Sequence, residues 1–257
     1  MGKIIAVANQ KGGVGKTTTQ VNLAACVAQL GRRVLSVDMD PQGNTTSGLG
    51  IVSEEGASVY DVLMGGVSAK ACVVGTCVEN LRLLPTDIRL AAAEVELAAS
   101  EGREYVLKKA LEPLRGEFDY ILIDCPPSLG LLTINALCAA DRVLVPIQCE
   151  YFALEGVGQL MNTITRVQRG LNPGLDIEGV ALTMLDGRTN LGLQVVQEVK
   201  KHFRQQVYAT IIPRNVRLSE APSFGQPIHL YDPRSLGAEA YKDLAKEFVN
   251  RSERGAR

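Results

Sequence analysis

Residues 9–18 read Asn9-Gln10-Lys11-Gly12-Gly13-Val14-Gly15-Lys16-Thr17-Thr18. These residue types at this spacing suit a phosphate. Glycines let backbone N–H groups close on an anion, Lys16 can reach β and γ phosphates, and the Thr17 hydroxyl can hold Mg²⁺. The run follows the apolar stretch Ile4-Ile5-Ala6-Val7-Ala8, which reads as a buried strand. It opens a helical pattern through Val21, Leu23, Ala24, Val27 and Leu30. Strand, glycine loop and helix N-terminus together form an anion-binding geometry. A glycine turn without a ligand needs none of that context.

Two carboxylate clusters end later strands. Val34-Leu35-Ser36-Val37 runs into Asp38-Met39-Asp40-Pro41-Gln42-Gly43-Asn44, and Tyr120-Ile121-Leu122-Ile123 runs into Asp124-Cys125-Pro126-Pro127-Ser128. Ligands of open α/β sheets bind beyond the carboxyl ends of strands, which puts these acids beside the loop. Strand alternation sends Asp38 and Asp40 to one face and Met39 to the other. Asp40 there could orient a water in line with a γ-phosphate or hold a metal-bound water, and Asp124 could support Mg²⁺ through water. Either aspartate alone would be an ordinary strand-end acid; the loop at 11–17 gives them their reading.

The elements that must position these groups alternate along the chain. Candidate strands fall at 3–8, 33–37, 80–84, 118–123, 142–147, 176–183 and 207–212, and candidate helices at 16–30, 87–98, 103–114, 130–139, 152–170, 190–203, 216–221 and 235–250. Alternation of this kind predicts an α/β fold: one domain over 1–257, with a mostly parallel twisted sheet of about seven to eight strands and helices on both faces. Residues 43–79 are glycine-rich and least regular, with a short helix near 58–63, and the polar tail 251–257 is expected to fray. Hydrophobic residues make up 46% of the 257, enough for a sheet covered on both faces. The formal net charge of −1 supplies no bulk field for nucleic acid, so any DNA contact must be a local patch or two patches joined by dimerisation. Six cysteines without a C-x-x-C pair read as free thiols in a reducing cytosol, and the two histidines lack metal-ligand spacing. The first strand begins at the N-terminus, so no signal peptide is expected, and no apolar run reaches the roughly 20 residues that span a bilayer.

The loop departs from G-x-x-x-x-G-K-[ST] at its first position, where Gln10 stands, and carries Lys11 at its mouth. It resembles the deviant Walker A motif K-G-G-x-G-K-[ST]. The chain as a whole is similar to ParA/Soj-type chromosome-partitioning ATPases, P-loop NTPases of the SIMIBI class, from residue 1 to about 250. The resemblance is carried by Asp38 to Asn44, Gln148-Cys149-Glu150-Tyr151-Phe152-Ala153-Leu154-Glu155-Gly156, Leu182 to Asn190, Ile212 to Pro222 and Tyr231-Asp232-Pro233-Arg234-Ser235. It implies that Lys11 reaches the nucleotide of a partner subunit, so that ATP is sandwiched in a homodimer. It implies that Gly12, Gly13, Val14, Gly15, Lys16, Thr17 and Thr18 cradle the phosphates, with Lys11, Lys16, Asp40 and Asp124 as the catalytic set and Thr17, Asp40 and Asp124 around Mg²⁺. Pro213 and Asn215 would line the adenine, where an amide can donate and accept. Arg188 and Arg217 match positions that contact DNA phosphates.

What the resemblance implies about activity is a slow ATPase that drives chromosome or plasmid partitioning, whose ATP dimer binds double-stranded DNA nonspecifically and which a ParB-type centromere-binding protein stimulates. Some relatives also touch the replication-initiation machinery. A cytoplasmic, nucleoid-associated protein without a membrane partner is expected. No helix-turn-helix precedes Lys3, unlike the longer ParA proteins that repress their own operon. Two other readings share the loop. A membrane switch of the MinD kind needs a basic amphipathic C-terminal helix, but Tyr241 to Val249 balances acids and bases. A redox protein like nitrogenase iron protein needs cysteines converging at a dimer axis, and neither Cys125 nor Cys138 has the Cys-Gly-Gly context. A purely structural role for ATP would leave Asp40→Ala without effect.

Overall fold

The computed structural model describes residues 2–52, 56–150 and 153–254. The first half runs β1 (Lys3–Val7), α1 (Lys16–Gln29), β2 (Val34–Asp38), α2 (Asn44–Gly48), α3 (Val59–Leu63), α4 (Ala69–Cys72), β3 (Val74–Gly75), β4 (Leu81–Leu84), α5 (Leu90–Glu96), α6 (Val106–Leu111) and β5 (Tyr120–Asp124). The second runs α7 (Leu131–Ala139), β6 (Arg142–Gln148), α8 (Ala153–Gly170), β7 (Asp176–Leu185), α9 (Asn190–Phe203), β8 (Val207–Pro213), α10 (Val216–Glu220), α11 (Ile228–Tyr231) and α12 (Leu236–Arg254). The eight strands form one sheet in the order β3-β4-β2-β5-β1-β6-β7-β8, parallel except for the β3–β4 edge. From β1 the chain builds outward first on the β5 side and then on the β6 side, so the end of β1 is the switch point where a ligand crevice opens.

Period-two alternation splits the core cleanly. Ile4, Ala6, Leu35, Val37, Met39, Ile121, Ile123, Val143 and Val145 face one cluster, with Leu107, Leu137, Leu160 and Val199 from the helices above. Ile5, Val7, Val34, Leu122 and Leu144 face the other, with Leu23, Val27, Tyr241, Leu244 and Phe248 of α1 and α12. Asp38 and Asp124 keep step with Ser36 and Leu122, so both acids turn toward the α1 face. Met39 sits in the opposite core, as the alternation requires.

Several expectations need correction. The chain after 250 does not fray where it is described: α12 continues to Arg254. Arg251 donates to the Val207 carbonyl at 2.8 Å and lies 4.3 Å over the Tyr208 ring, while the buried Ser252 hydroxyl donates to Glu178 at 3.0 Å. The helix expected at 103–114 is three pieces, a 3-10 turn, α6 and a second 3-10 turn that contains Pro113, because proline cannot donate into a continuing helix. The helix expected at 87–98 is α5 followed by a 3-10 turn at Leu97–Ala99. The irregular stretch holds α2, α4 and the two-residue β3 besides the expected helix, here α3. Ser58 caps α3 through a reciprocal box with Asp61. Tyr151 and Phe152 of the quoted motif, like Gly255 to Arg257, lie outside the described residues.

One backbone contact joins distant segments. Gly50 (φ +77°) and Gly225 (φ +61°) pack face to face; a Cβ on Gly225 would stand 2.6 Å from the Gly50 Cα. Only glycine fits both the left-handed conformation and that approach.

Candidate functional site

The loop at 9–18 is tied at Asn9 and again at Val14. Asn9 donates its side-chain amide to the Pro146 carbonyl at 2.7 Å and accepts the Lys11 N–H at 3.1 Å. Thr183, at the end of β7, donates to the Val14 carbonyl at 2.8 Å. Gly13 (φ +73°) and Gly15 (φ +83°) take left-handed conformations, and Gly15 hands the chain into α1. No heavy atom lies within 4 Å of where a Cβ would stand at Gly12 or Gly13, so the loop frames an open cradle. The helix behind it is anchored by the buried Gln20, whose amide donates to Ser36 Oγ and the Leu122 carbonyl, both at 2.8 Å.

Lys16 is buried, and its ammonium donates to the Lys11 carbonyl at 3.4 Å. Burial lowers its pKa, against the pull of Asp124 and Asp40. Asp38 and Asp124 are in-register neighbours on β2 and β5, both fully buried. Burial raises both pKa values, and the neighbouring acids raise them further. The Thr45 hydroxyl donates to Asp124 Oδ2 at 2.8 Å, and the Thr46 N–H and hydroxyl donate to Asp38 Oδ2 at 2.8 and 2.7 Å. Asp124 Oδ1 is buried with no hydrogen-bond partner, while the Thr17 hydroxyl helps to lower the pKa of the same carboxyl. An orphaned acidic oxygen beside a hydroxyl is the donor set of a hard, water-bearing cation such as Mg²⁺. Asp40 begins a turn in which its Oδ1 accepts the Gln42 N–H at 3.0 Å. Lys16, Thr17, Asp40 and Asp124 are thus gathered at the ends of β1, β2 and β5.

A cavity of about 170 Å³ opens beside the loop, lined by Gly15, Thr18, Met184, Pro213, Asn215 and Tyr241 among others. Pro213 and Asn215 therefore meet the loop residues. The Asn215 side-chain amide oxygen (Oδ1) already accepts the Arg217 N–H at 2.9 Å as the cap of α10, which leaves the side-chain NH₂ to donate. Met184 has φ +54°, a strained value for a side chain of its size. Met184 and Tyr241 line this cavity although one lies just past the strand expected at 176–183 and the other on a helix expected only to pack.

Arg188 and Arg217 leave from the ends of β7 and β8, whose loops are tied by the Arg214 N–H on the Leu185 carbonyl at 3.0 Å. Both are exposed and both are paired: Arg188 with Asp186 at 2.7 Å, Arg217 with Glu220 at 2.8 Å. Hydrogen bonds from Arg188 hold the Asp186 carboxyl well below the usual range. Arg214 likewise bridges Glu150 at 2.8 Å. The cations stand at one end of the sheet, each with an acid beside it.

Cys26, Cys138 and Cys149 are pushed up to about 12, 11 and 11 by burial, the reverse of a reactive thiolate. Among the described residues no group of three or more His, Cys, Asp or Glu could hold a metal ion, and no helix is long and apolar enough to cross a membrane.

The family described as AAA domain matches residues 2–177. The chain is 64% identical to the sporulation initiation inhibitor protein Soj of Bacillus subtilis (strain 168) over 248 residues, covering 96% of this chain and 98% of that protein. It is 54% identical to the chromosome partitioning protein ParA of Myxococcus xanthus (strain DK1622), covering 98% and 89%. Among solved structures, it superposes with a TM-score of 0.88 at 43% identity on a Mycobacterium smegmatis protein described as cobyrinic acid a,c-diamide synthase with bound ATP analogue and magnesium, covering 99% and 97% of the two chains.

Proposed function

The chain belongs to the Soj/ParA family of chromosome-partitioning ATPases, and from that premise we propose that it is an ATP-driven DNA-binding switch. In this reading ATP closes a homodimer, the dimer binds DNA without sequence preference, and hydrolysis stimulated by a ParB-type partner releases it. The observation that carries the reading is the gathering of Lys16, Thr17, Asp40 and Asp124 at a glycine loop, beside a cavity lined by Pro213 and Asn215.

The residues divide the work as follows. Backbone N–H groups of Gly12 to Thr18 and the Lys16 ammonium bind the phosphates. Thr17 and Asp124 would hold Mg²⁺, Asp124 through water, and the metal would supply charge neutralisation at the transferring phosphoryl group. Asp40, fixed in its turn, orients the water that attacks the γ-phosphorus as the bond to the β-phosphate oxygen breaks. Pro213 and the free Asn215 NH₂ receive the adenine. Lys11 reaches the phosphates bound by the second copy, so hydrolysis waits for the dimer. Dimerisation also doubles the set of Arg188 and Arg217 presented to DNA, which raises affinity through phosphate neutralisation alone. The name borne by the M. smegmatis structure describes another reaction; the retained ATP analogue and magnesium bear on the nucleotide site of that protein.

The test is binding to a random-sequence duplex at low salt, with ATP and with ADP, for wild type and Asp40→Ala. Strong binding with ATP and little with ADP, heightened in Asp40→Ala because the ATP dimer persists, is expected. Equal and weak binding in every arm refutes the switch.

A further inference from the structure

Two consecutive threonines after the Asp40 turn do something that the nucleotide reading leaves unexplained. Thr45 and Thr46 are the second and third residues of α2, a helix of five residues with no side-chain cap of its own. Such a helix has little intrinsic stability. Yet both threonines are buried, at 0% and 2% exposure, and their hydroxyls reach two fully buried acids on adjacent strands of the sheet. Thr45 donates to Asp124 and Thr46 to Asp38, the second through both hydroxyl and backbone N–H. The Thr46 oxygen is filled from the other side by the Thr86 N–H at 3.1 Å, which ties the turn after β4 into the same network. The Asp40 N–H also donates to Asp38 Oδ1 at 3.2 Å. Asp38 thus fixes the backbone at 40 and at 46, the two ends of the turn that presents Asp40.

We propose that Thr45 and Thr46 are positioning residues: a two-hydroxyl latch that clamps α2 to Asp124 and Asp38 and so sets the Asp40 turn for hydrolysis. This rests on the partition-ATPase reading for the role of Asp40, but the hydrogen bonds of the latch do not depend on that reading. Releasing α2 uncovers two buried carboxylates together, so the latch opens as a unit. The Thr45 donation also occupies Asp124 Oδ2, while Oδ1 of the same carboxylate has no hydrogen-bond partner. A valine at either position keeps the shape and removes the donor; a serine keeps the donor and removes a methyl group.

The experiment compares wild type with Thr45→Val, Thr46→Val, Thr45→Ser and Thr46→Ser. The first measurement is amide hydrogen exchange in nucleotide-free protein. Each valine variant is expected to raise exchange across residues 40–49 by about tenfold or more while α1 is unchanged, with serine restoring protection. The second is ATP hydrolysis against nucleotide affinity. Each valine variant is expected to lower kcat by about tenfold or more with KM and ADP affinity within about threefold, and serine to recover most of kcat. Unchanged exchange in both valine variants overturns the latch. Raised exchange with unaltered kcat, or failure of serine to rescue, overturns its positioning role. A wild-type chain that hydrolyses no ATP would sink the partition-ATPase reading instead, and exchange alone would then decide the latch.

Discussion

Replacing Gly12 by alanine separates two things a glycine can do in a phosphate loop. Gly13 and Gly15 need glycine for their backbone, but Gly12 does not take a left-handed conformation. A Cβ at Gly12 meets no heavy atom within 4 Å. The substitution therefore costs the free protein almost nothing: no clash, no strained φ, and a small entropic gain of about 0.4–1 kcal/mol from the stiffer unfolded chain. On the scale of about 2–4 °C per kcal/mol for a chain near this size, Tm should hold or rise by a few degrees. On the nucleotide reading proposed above, the same methyl would stand in the phosphate-binding loop and hold the anion off its N–H groups. Losing one hydrogen bond to a charged group removes about 1.5–3 kcal/mol, a roughly tenfold to 150-fold weaker nucleotide. The assay pairs a thermal melt of nucleotide-free protein with titration of a fluorescent ADP analogue. Affinity equal to wild type would refute the cradle, and a Tm drop of several degrees would refute the open space drawn at Gly12. Gly13→Ala serves as contrast, since its φ of +73° should cost the free protein about 1–2 kcal/mol as well.

Three further outcomes are expected. Arg251→Ala should lower stability by about 1–3 kcal/mol through lost carbonyl and ring contacts, read in urea melts; no change would mean that the end of α12 is loosely held. His229 is buried and its pKa is pushed down to about 4, so it stays neutral when folded while the unfolded chain takes up a proton below about 6.5. Its contribution to stability is full above that pH and is lost as pH falls toward 4, by up to about 3 kcal/mol, and His229→Gln should flatten the pH dependence of the urea midpoint in that window. Asp186→Asn should tighten DNA binding at low salt by freeing Arg188 from its paired acid, while Arg188→Ala should weaken it and reduce the slope of log K against log salt by about 1 per site; the opposite order would show that Arg188 faces away from DNA.

The parts of the site that depend on local pattern were readable from the chain. The glycine loop declared itself by residue type, and period-two alternation alone put Asp38 and Asp40 on one face and Met39 on the other. The helix at 190–203 was bounded correctly because Thr189 caps it and its apolar face is periodic. What escaped the sequence was long-range. Thr45 and Thr46 looked like polar filler in an irregular stretch, since nothing local says that two acids lie behind them. Tyr241 belongs to a helix more than 200 positions from Thr19, yet the two hydroxyls meet at 3.2 Å. The end of α12 read as a frayed tail because Arg251 and Ser252 are polar; their partners on β7 and β8 are far away in sequence. Pro113 was a local signal that could have broken the 103–114 helix in advance.

The Gly50–Gly225 contact has a mechanical consequence. Gly50 closes the segment that begins at Asp40, and Gly225 closes the segment that begins at Pro213 and carries Arg217. With backbone pressed on backbone there is no side chain between the two segments to flex and take up slack. On the nucleotide reading proposed above, the glycine cradle and the cavity at Pro213 and Asn215 would then behave as two jaws on one rivet. A bound nucleotide would leave by both ends loosening together, and the arginine on the far jaw would register the event. A bulkier residue at Gly50 should decouple the jaws, so that stopped-flow release of an ADP analogue splits from one phase into two.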